Sequence, residues 1–175
     1  GNVEGRDICR GVVDVIVAFP KAFQAYVTDM RAANPNLVLI AYSNGMFVTP
    51  KQGPTSGVFP QSWYAYDSKG NAIQNASNQN WLMDPSSSGW VQNRASNCAS
   101  LIAQSGYDGC MLDTLGVAPL TAGYCTSLPF NSATGANWTR PDWLSATTQL
   151  SQTARTTVSP SQSVRGRAPM KTNSQ

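Results

Sequence analysis

The stretch Gly106–Gly116, GYDGCMLDTLG, runs apolar from Cys110 to Leu112 and then stops at Asp113. A carboxylate that closes an apolar run can accept or give a proton, or attack an electrophile, with its pKa set by burial and neighbours. Asp84, in WLMDP, is the nearest second acid that also follows an apolar segment. Its competing role is local, because an Asp before Pro at a helix start is a ready cap. Asp67, within DSKG, reads first as a turn former, and Asp108, at the other end of the Asp113 segment, as structural. The chain has no histidine. That removes Ser-His-Asp and Cys-His mechanisms and every His-ligated metal site, so no metal and no cofactor are expected. AYSNG, Ala41–Gly45, has the outline of a nucleophile elbow, but Ala41 replaces the first glycine and the usual base is missing.

These residues need elements to hold them. Val12–Phe19 is a β-branched apolar run, Phe23, Tyr26, Val27 and Met30 recur at helical spacing, and Leu37–Tyr42 is a second apolar run. The pattern predicts strand, helix, strand, and a right-handed crossover would make the two strands parallel. The polar segment Met46–Asn80 reads as a long loop with a hairpin turned at Asp67–Gly70. Trp81–Met83 is expected as a third strand, followed by a helix introduced by Asp84-Pro85, with Val91, Ala95, Cys98 and Ile102 on its apolar face and Gly106 at its end. The fourth strand, Tyr107–Asp113, should turn Gly109, Met111 and Asp113 to one side and Cys110 and Leu112 to the other. A second long loop, Gly116–Trp138, leads to TRPD, a capping-box-like start for a helix carrying Trp143, Thr147, Leu150 and Ala154 on one face. The long segments follow strands rather than helices, which is the polarity of parallel α/β folds whose ligand sites lie at the carboxyl ends of the strands.

Composition sets the outer limits. With 175 residues and 41% hydrophobic content the chain suits one globular domain, taken here as residues 1–158 with a polar, basic tail at 159–175. The net charge of +3 comes from 12 basic and 9 acidic residues, and the tail residues Arg165, Arg167 and Lys171 account for the excess, since 12 − 3 = 9. A neutral body argues against a nucleic-acid partner, and no segment is long and apolar enough for a membrane span. Low charge (12%), a single glutamate (Glu4) and the sequons at Asn75 and Asn137 suit a secreted or cell-surface protein. Cys9, Cys98, Cys110 and Cys125 lack C-x-x-C spacing, and full oxidation would allow three pairings. Cys98 and Cys110 stand at about the same height, roughly 10 Å from the turn between the helix and the fourth strand, which makes them neighbours.

NWLMDPSSSGW, a helix, and then GYDGCMLDTLG resemble the central part of glycoside-hydrolase-like TIM barrels that include relatives of the α-1,4-polygalactosaminidases. The shared marks are a tryptophan-containing strand with an Asp-Pro-Ser turn, a helix, and a strand of the form G-[FY]-D-G-x-x-x-D. RAANPNLVLIAYSNG upstream and TRPDWLSATTQL downstream are similar as well, so the likeness runs over roughly Val12–Val158. It implies an α/β fold, a partial (β/α)8 TIM-like barrel with parallel strands and long loops after the strands. A complete barrel takes about 250 residues. An open one would leave apolar surface and unpaired backbone at its last strand.

The same resemblance implies glycosidic-bond hydrolysis in a polysaccharide by two carboxylates, one protonating the leaving oxygen and one acting as nucleophile or base. Asp113 takes one role and Asp84 is the candidate for the other. Sugar rings offer C–H faces between hydroxyl edges, so aromatic platforms beside polar groups are wanted. Trp63 and Tyr66 in the hairpin, Trp81, and Tyr42 with Asn44 at a strand end are the candidates for substrate binding, with packing the competing role for Trp81 and the expected one for Trp90 and Trp143. A noncatalytic carbohydrate-binding protein, or an inactive barrel fragment, would use the same residues, and oligomeric state stays open.

Overall fold

The computed structural model describes residues 14–158. The expected strand start at Val12 and the tail at 159–175, with the boundary drawn before it, lie outside the described residues. The chain runs β1 (Val15–Ala18), a short helix α1 (Pro20–Phe23) continued by a 3₁₀ turn into α2 (Val27–Ala33), then β2 (Val38–Asn44). A two-stranded insertion follows, β3 (Phe47–Val48) and β4 (Trp81–Leu82), then α3 (Ser88–Ser105) and β5 (Gly109–Asp113). A small ribbon, β6 (Phe130–Asn131) with β7 (Ala136–Asn137), precedes α4 (Arg140–Thr157). No helix among the described residues is long and apolar enough to cross a membrane.

β1, β2 and β5 form one parallel sheet in that order, with Val15 opposite Val38, Ile40 opposite Gly109 and Asn44 opposite Asp113. Each of the three strands is followed by a helix, which makes three successive βα units of a barrel wall. Period-2 alternation sorts the residues. Leu39 and Ala41 are fully buried under α2, in a cluster with Val27, Met30, Leu37 and Tyr107. Val38, Ile40, Tyr42 and Asn44 face the other side, the side that is the interior in a closed barrel, and are half-buried or exposed.

The expected third strand is corrected by the pairing. Trp81–Leu82 runs antiparallel to β3, Phe47 opposite Leu82, and stands outside the parallel sheet. The physical reason is that Leu82 and Met83 are successive residues with no exposure at all, so they sit inside a packed insertion rather than alternating between two faces. That insertion core holds Met46, Tyr64, Ala65, Ile73 and Trp90, and it includes the expected hairpin, where Asp67 N donates to Asn71 O at 2.9 Å.

The helix ends follow the capping rules. Gly106 closes α3 at φ +74°, a left-handed position that glycine takes without strain. The cap at its start is Ser87, whose side chain accepts from Trp90 N; Asp84, expected there, caps nothing. Thr139 caps α4 by accepting from Asp142 N. Cys98 of α3 and Cys110 of β5 form a disulfide with Cα atoms 5.5 Å apart, so the expected neighbours are also bonded. Below the sheet, at the amino ends of the strands, Asp108 pairs with Arg31 at 2.8 Å and accepts from Leu39 N, tying β5 to β2 and α2.

Candidate functional site

The carboxyl ends of β2 and β5 bring three inward residues together: Tyr42 and Asn44 on one strand and Asp113 on the next, with Asn44 and Asp113 in register. Tyr42 Oη donates to Asp113 Oδ2 at 2.6 Å, and the Thr114 amide donates to Asp113 Oδ1 at 2.7 Å. Thr114 holds that amide in place from a left-handed conformation, φ 66°, which costs a non-glycine residue strain. The Tyr42 hydrogen bond, aided by Thr114 against the opposing effect of partial burial, holds the Asp113 carboxyl below the usual carboxylate range. Burial, followed by the hydrogen bond and charge of Asp113, pushes the Tyr42 phenol up to about 12. The pair therefore rests as carboxylate and neutral phenol, with the proton on the tyrosine.

The backbone around the pair is tight. Gly45 N donates to Asp113 O at 2.8 Å, and a Cβ on Gly45 would stand 2.6 Å from Leu115 Cδ2 and 2.9 Å from Asp113 O. Only glycine lets the two strand ends approach this closely. Asn44 Oδ1 accepts from Met46 N and Phe47 N, at 3.0 and 2.8 Å, so this side chain shapes the turn that leaves β2. Behind the turn, Trp90 Nε1 donates to Gly45 O at 2.8 Å, and Arg94 lies over the Trp90 ring at 4.3 Å. Burial draws the Arg94 guanidinium down to about 10.

Two further aromatic side chains lie near the pair, Phe19 against Tyr42 and Tyr124 within electrostatic reach of Asp113. Phe19 packs on Tyr42 with ring centroids 4.5 Å apart and is 63% exposed. Tyr124, from the loop after β5, packs on Phe47 at 6.3 Å. Burial raises its pKa, and the charges of Cys125 and Asp113 add to the effect. Neither was marked by sequence. Phe19 had a readable signal as the last residue of its apolar run, whereas Tyr124 sits in a loop without periodicity.

The other candidates lie in the insertion. Trp63 stacks on Phe59 at 5.8 Å and lies flat on Gly89, whose absent Cβ would come within 2.2 Å of the indole. Tyr66 Oη donates to Gln61 O at 3.0 Å, and Trp81 Nε1 to Pro50 O at 3.2 Å. Asp84 accepts from the amide and hydroxyl of Ser86 through Oδ1. None of the hydrogen bonds to Asp113 comes from Trp81–Asp84. That segment is joined instead to the turn after β2, through Met83 N to Met46 O at 2.9 Å.

No protein-family profile matches this chain. No curated protein matches it either. Among solved structures, it is similar to Ega3 of Aspergillus fumigatus, determined with galactosamine, at 14% identity and a TM-score of 0.55, over 90% of this chain and 52% of that one. It is also similar to a cycloisomaltooligosaccharide glucanotransferase of Paenibacillus sp., determined with cycloisomaltoheptaose, at 16% identity and a TM-score of 0.52, over 78% of this chain and 18% of that one. The chain thus spans about half of Ega3, and what it shares at this identity is the fold: part of a TIM barrel, distantly resembling carbohydrate-active enzymes.

Proposed function

We propose that the chain carries the carboxylate side of a glycoside hydrolase that cleaves glycosidic bonds in a polysaccharide. The observation that supports this reading is Asp113 at the carboxyl end of a barrel strand, held as the anion by Tyr42 and Thr114. A carboxyl group kept below its usual range serves as nucleophile or as base toward water, not as the proton donor. The acid is assigned to Asp84, whose segment joins the turn after β2 through Met83 N and Met46 O. Phe19, Tyr42 and Tyr124 offer ring faces beside Asp113 for the C–H faces of a sugar, with Asn44 at the same strand end. Trp63, Tyr66 and Trp81 extend the carbohydrate surface along the insertion. Both solved neighbours were determined with sugars, which supports the substrate class. A secreted or cell-surface location fits the Cys98–Cys110 disulfide, since such bonds persist in oxidising compartments.

A noncatalytic carbohydrate-binding role is the second reading, favoured by Asp84 being engaged locally, with the Ser86 amide and hydroxyl both donating to its Oδ1. Turnover of a labelled polysaccharide panel, run beside calorimetric binding of the same glycans, separates the two. Hydrolysis lost on Asp113→Asn supports the enzyme. Saturable binding without turnover supports the binding protein, and neither binding nor turnover overturns both.

A further inference from the structure

The two sequons, Asn75-Ala76-Ser77 and Asn137-Trp138-Thr139, are alike in sequence and opposite in the fold. Asn137 is exposed on β7, a strand whose two residues both face solvent. Its side chain makes no hydrogen bond among the described residues. A bulky group on Nδ2 there displaces no contact and extends into water. Asn75 is 6% exposed. Its Oδ1 accepts from Ser77 N at 3.0 Å, Ser77 Oγ at 2.7 Å and Asn78 N at 3.2 Å. Its backbone bridges to Cys125, which is itself buried, and the next amide, Ala76 N, donates to Tyr124 O at 3.0 Å. A sugar on this side chain would have to lie within the packing between the insertion and the loop after β5.

We propose that Asn137 is an N-glycosylation site of this protein and that Asn75 is not. The donor is an oligosaccharide carried on a polyprenyl diphosphate. The anomeric C–O bond to the diphosphate breaks and a C–N bond forms to Asn137 Nδ2; the diphosphate leaves with the bonding electrons and the amide loses one proton. Transfer belongs to the emerging chain, before Thr139 Oγ1 is taken up by the α4 cap, where it donates to Asp142 Oδ2 at 2.6 Å. Both sequons are then open to the transferase, and folding sorts the products. Attached sugar is bulky and belongs on the surface. A chain modified at Asn137 folds with its glycan outside, whereas one modified at Asn75 cannot bury that residue and does not reach this fold. The proposal fits the Cys98–Cys110 disulfide, a bond of oxidising compartments, and is independent of the hydrolase reading.

The test is expression of the 175-residue chain behind a cleavable secretion leader in a eukaryotic host. Folded, disulfide-bonded protein is purified from medium and cell extract together and treated with a glycan-releasing amidase, which leaves Asp in place of each glycosylated Asn. Tryptic peptide mapping by mass spectrometry then reads the two sequons separately, since Arg94 lies between them. The expected result is one glycan per chain, on Asn137, with Asn75 unmodified. Asn137→Gln should remove the whole glycan mass and shift the melting temperature of the deglycosylated protein by less than about 2 °C, the range for exposed positions. Ser77→Ala, which cancels the first sequon and keeps Asn75, should leave the glycan mass unchanged. A bare Asn137 in the folded protein overturns the proposal. Glycan on Asn75 of the folded protein overturns it as well, and so does a failure to recover any folded glycoprotein.

Discussion

Tyr42 Oη and Asp113 Oδ2 are 2.6 Å apart across two neighbouring parallel strands, and this bond favours the ionised carboxyl and the neutral phenol. Each partner is shifted in the direction that the bond requires: the carboxyl down and the phenol up to about 12. The site thus contains one anion held between Tyr42 Oη and the Thr114 amide.

Tyr42→Phe removes the donor and keeps the ring. The Asp113 carboxyl should rise toward its ordinary value near about 3.9, read by NMR titration of the side chain. Hydrogen bonds to charged groups contribute roughly 1.5–3 kcal/mol, and this part-exposed pair should fall near the lower end. The sign differs at the two ends of the pH scale. The depressed carboxyl stabilises the fold above its unfolded value, and that stability fades as pH falls through the lower folded one. The raised phenol stabilises it below about 10, and the contribution is lost as pH climbs toward about 12. The variant's melting temperature should be closest to wild type at both extremes.

Gly45→Ala should cost about 1–3 kcal/mol, the usual range for forcing a methyl group into a packed site. Leu115 can turn aside, but the Asp113 carbonyl, 2.9 Å from the added carbon, is backbone and moves only with the strand. Urea unfolding should show the loss of stability. The Asp113 titration should shift upward as well, since Tyr42 and Thr114 would no longer be held at bonding distance. A loss of stability with an unchanged titration would make Gly45 a packing residue only.

Reducing Cys98–Cys110, or replacing both cysteines by alanine, opens a link across a sequence separation of 12. Loop entropy for a closure of that size corresponds to about 3 kcal/mol. The bond joins α3 to β5, so β5 amides should lose protection from hydrogen exchange before those of β2. Cys125 is buried and burial pushes its thiol up to about 11, so in the native protein it should resist alkylation at pH 8. Hydrogen-exchange mass spectrometry reads the first point, and iodoacetamide labelling of native against denatured protein reads the second.

How far the sequence led depends on the element. β2 and β5 were legible as short apolar runs, and the position of Asp113 followed from where the second run stops. Trp81–Met83 was not. Three apolar residues cannot distinguish a barrel strand from the edge of a buried insertion, and Leu82 and Met83, both buried, belong to the latter. The cap of α3 was misplaced because Asp84, Ser86 and Ser87 all carry capping side chains, and only the distance to Trp90 N selects Ser87. Tyr124 reaches Asp113 through tertiary folding of a long loop, a relation without any local spacing.

Asp113→Asn is the decisive substitution for the proposed chemistry. The amide has the same shape, and its oxygen can still accept from Thr114 N. Its NH₂ would then point at Tyr42 Oη, and the tyrosine hydroxyl, free to rotate, can accept that bond instead of donating. Both contacts survive with the donor reversed, so the melting temperature near neutral pH should move little, and the Tyr42 titration should fall as the neighbouring charge disappears. Chemistry has no such alternative. An amide neither attacks an anomeric carbon nor takes a proton from water, and loss of acid–base help alone removes about 10²–10⁴ in rate. In the barrel that hydrolyses the glycan, turnover should drop by at least that factor with glycan binding kept within a few-fold. Full turnover from the folded variant would make Asp113 a structural anchor for Tyr42 and Thr114, and would take away the central support of the hydrolase reading.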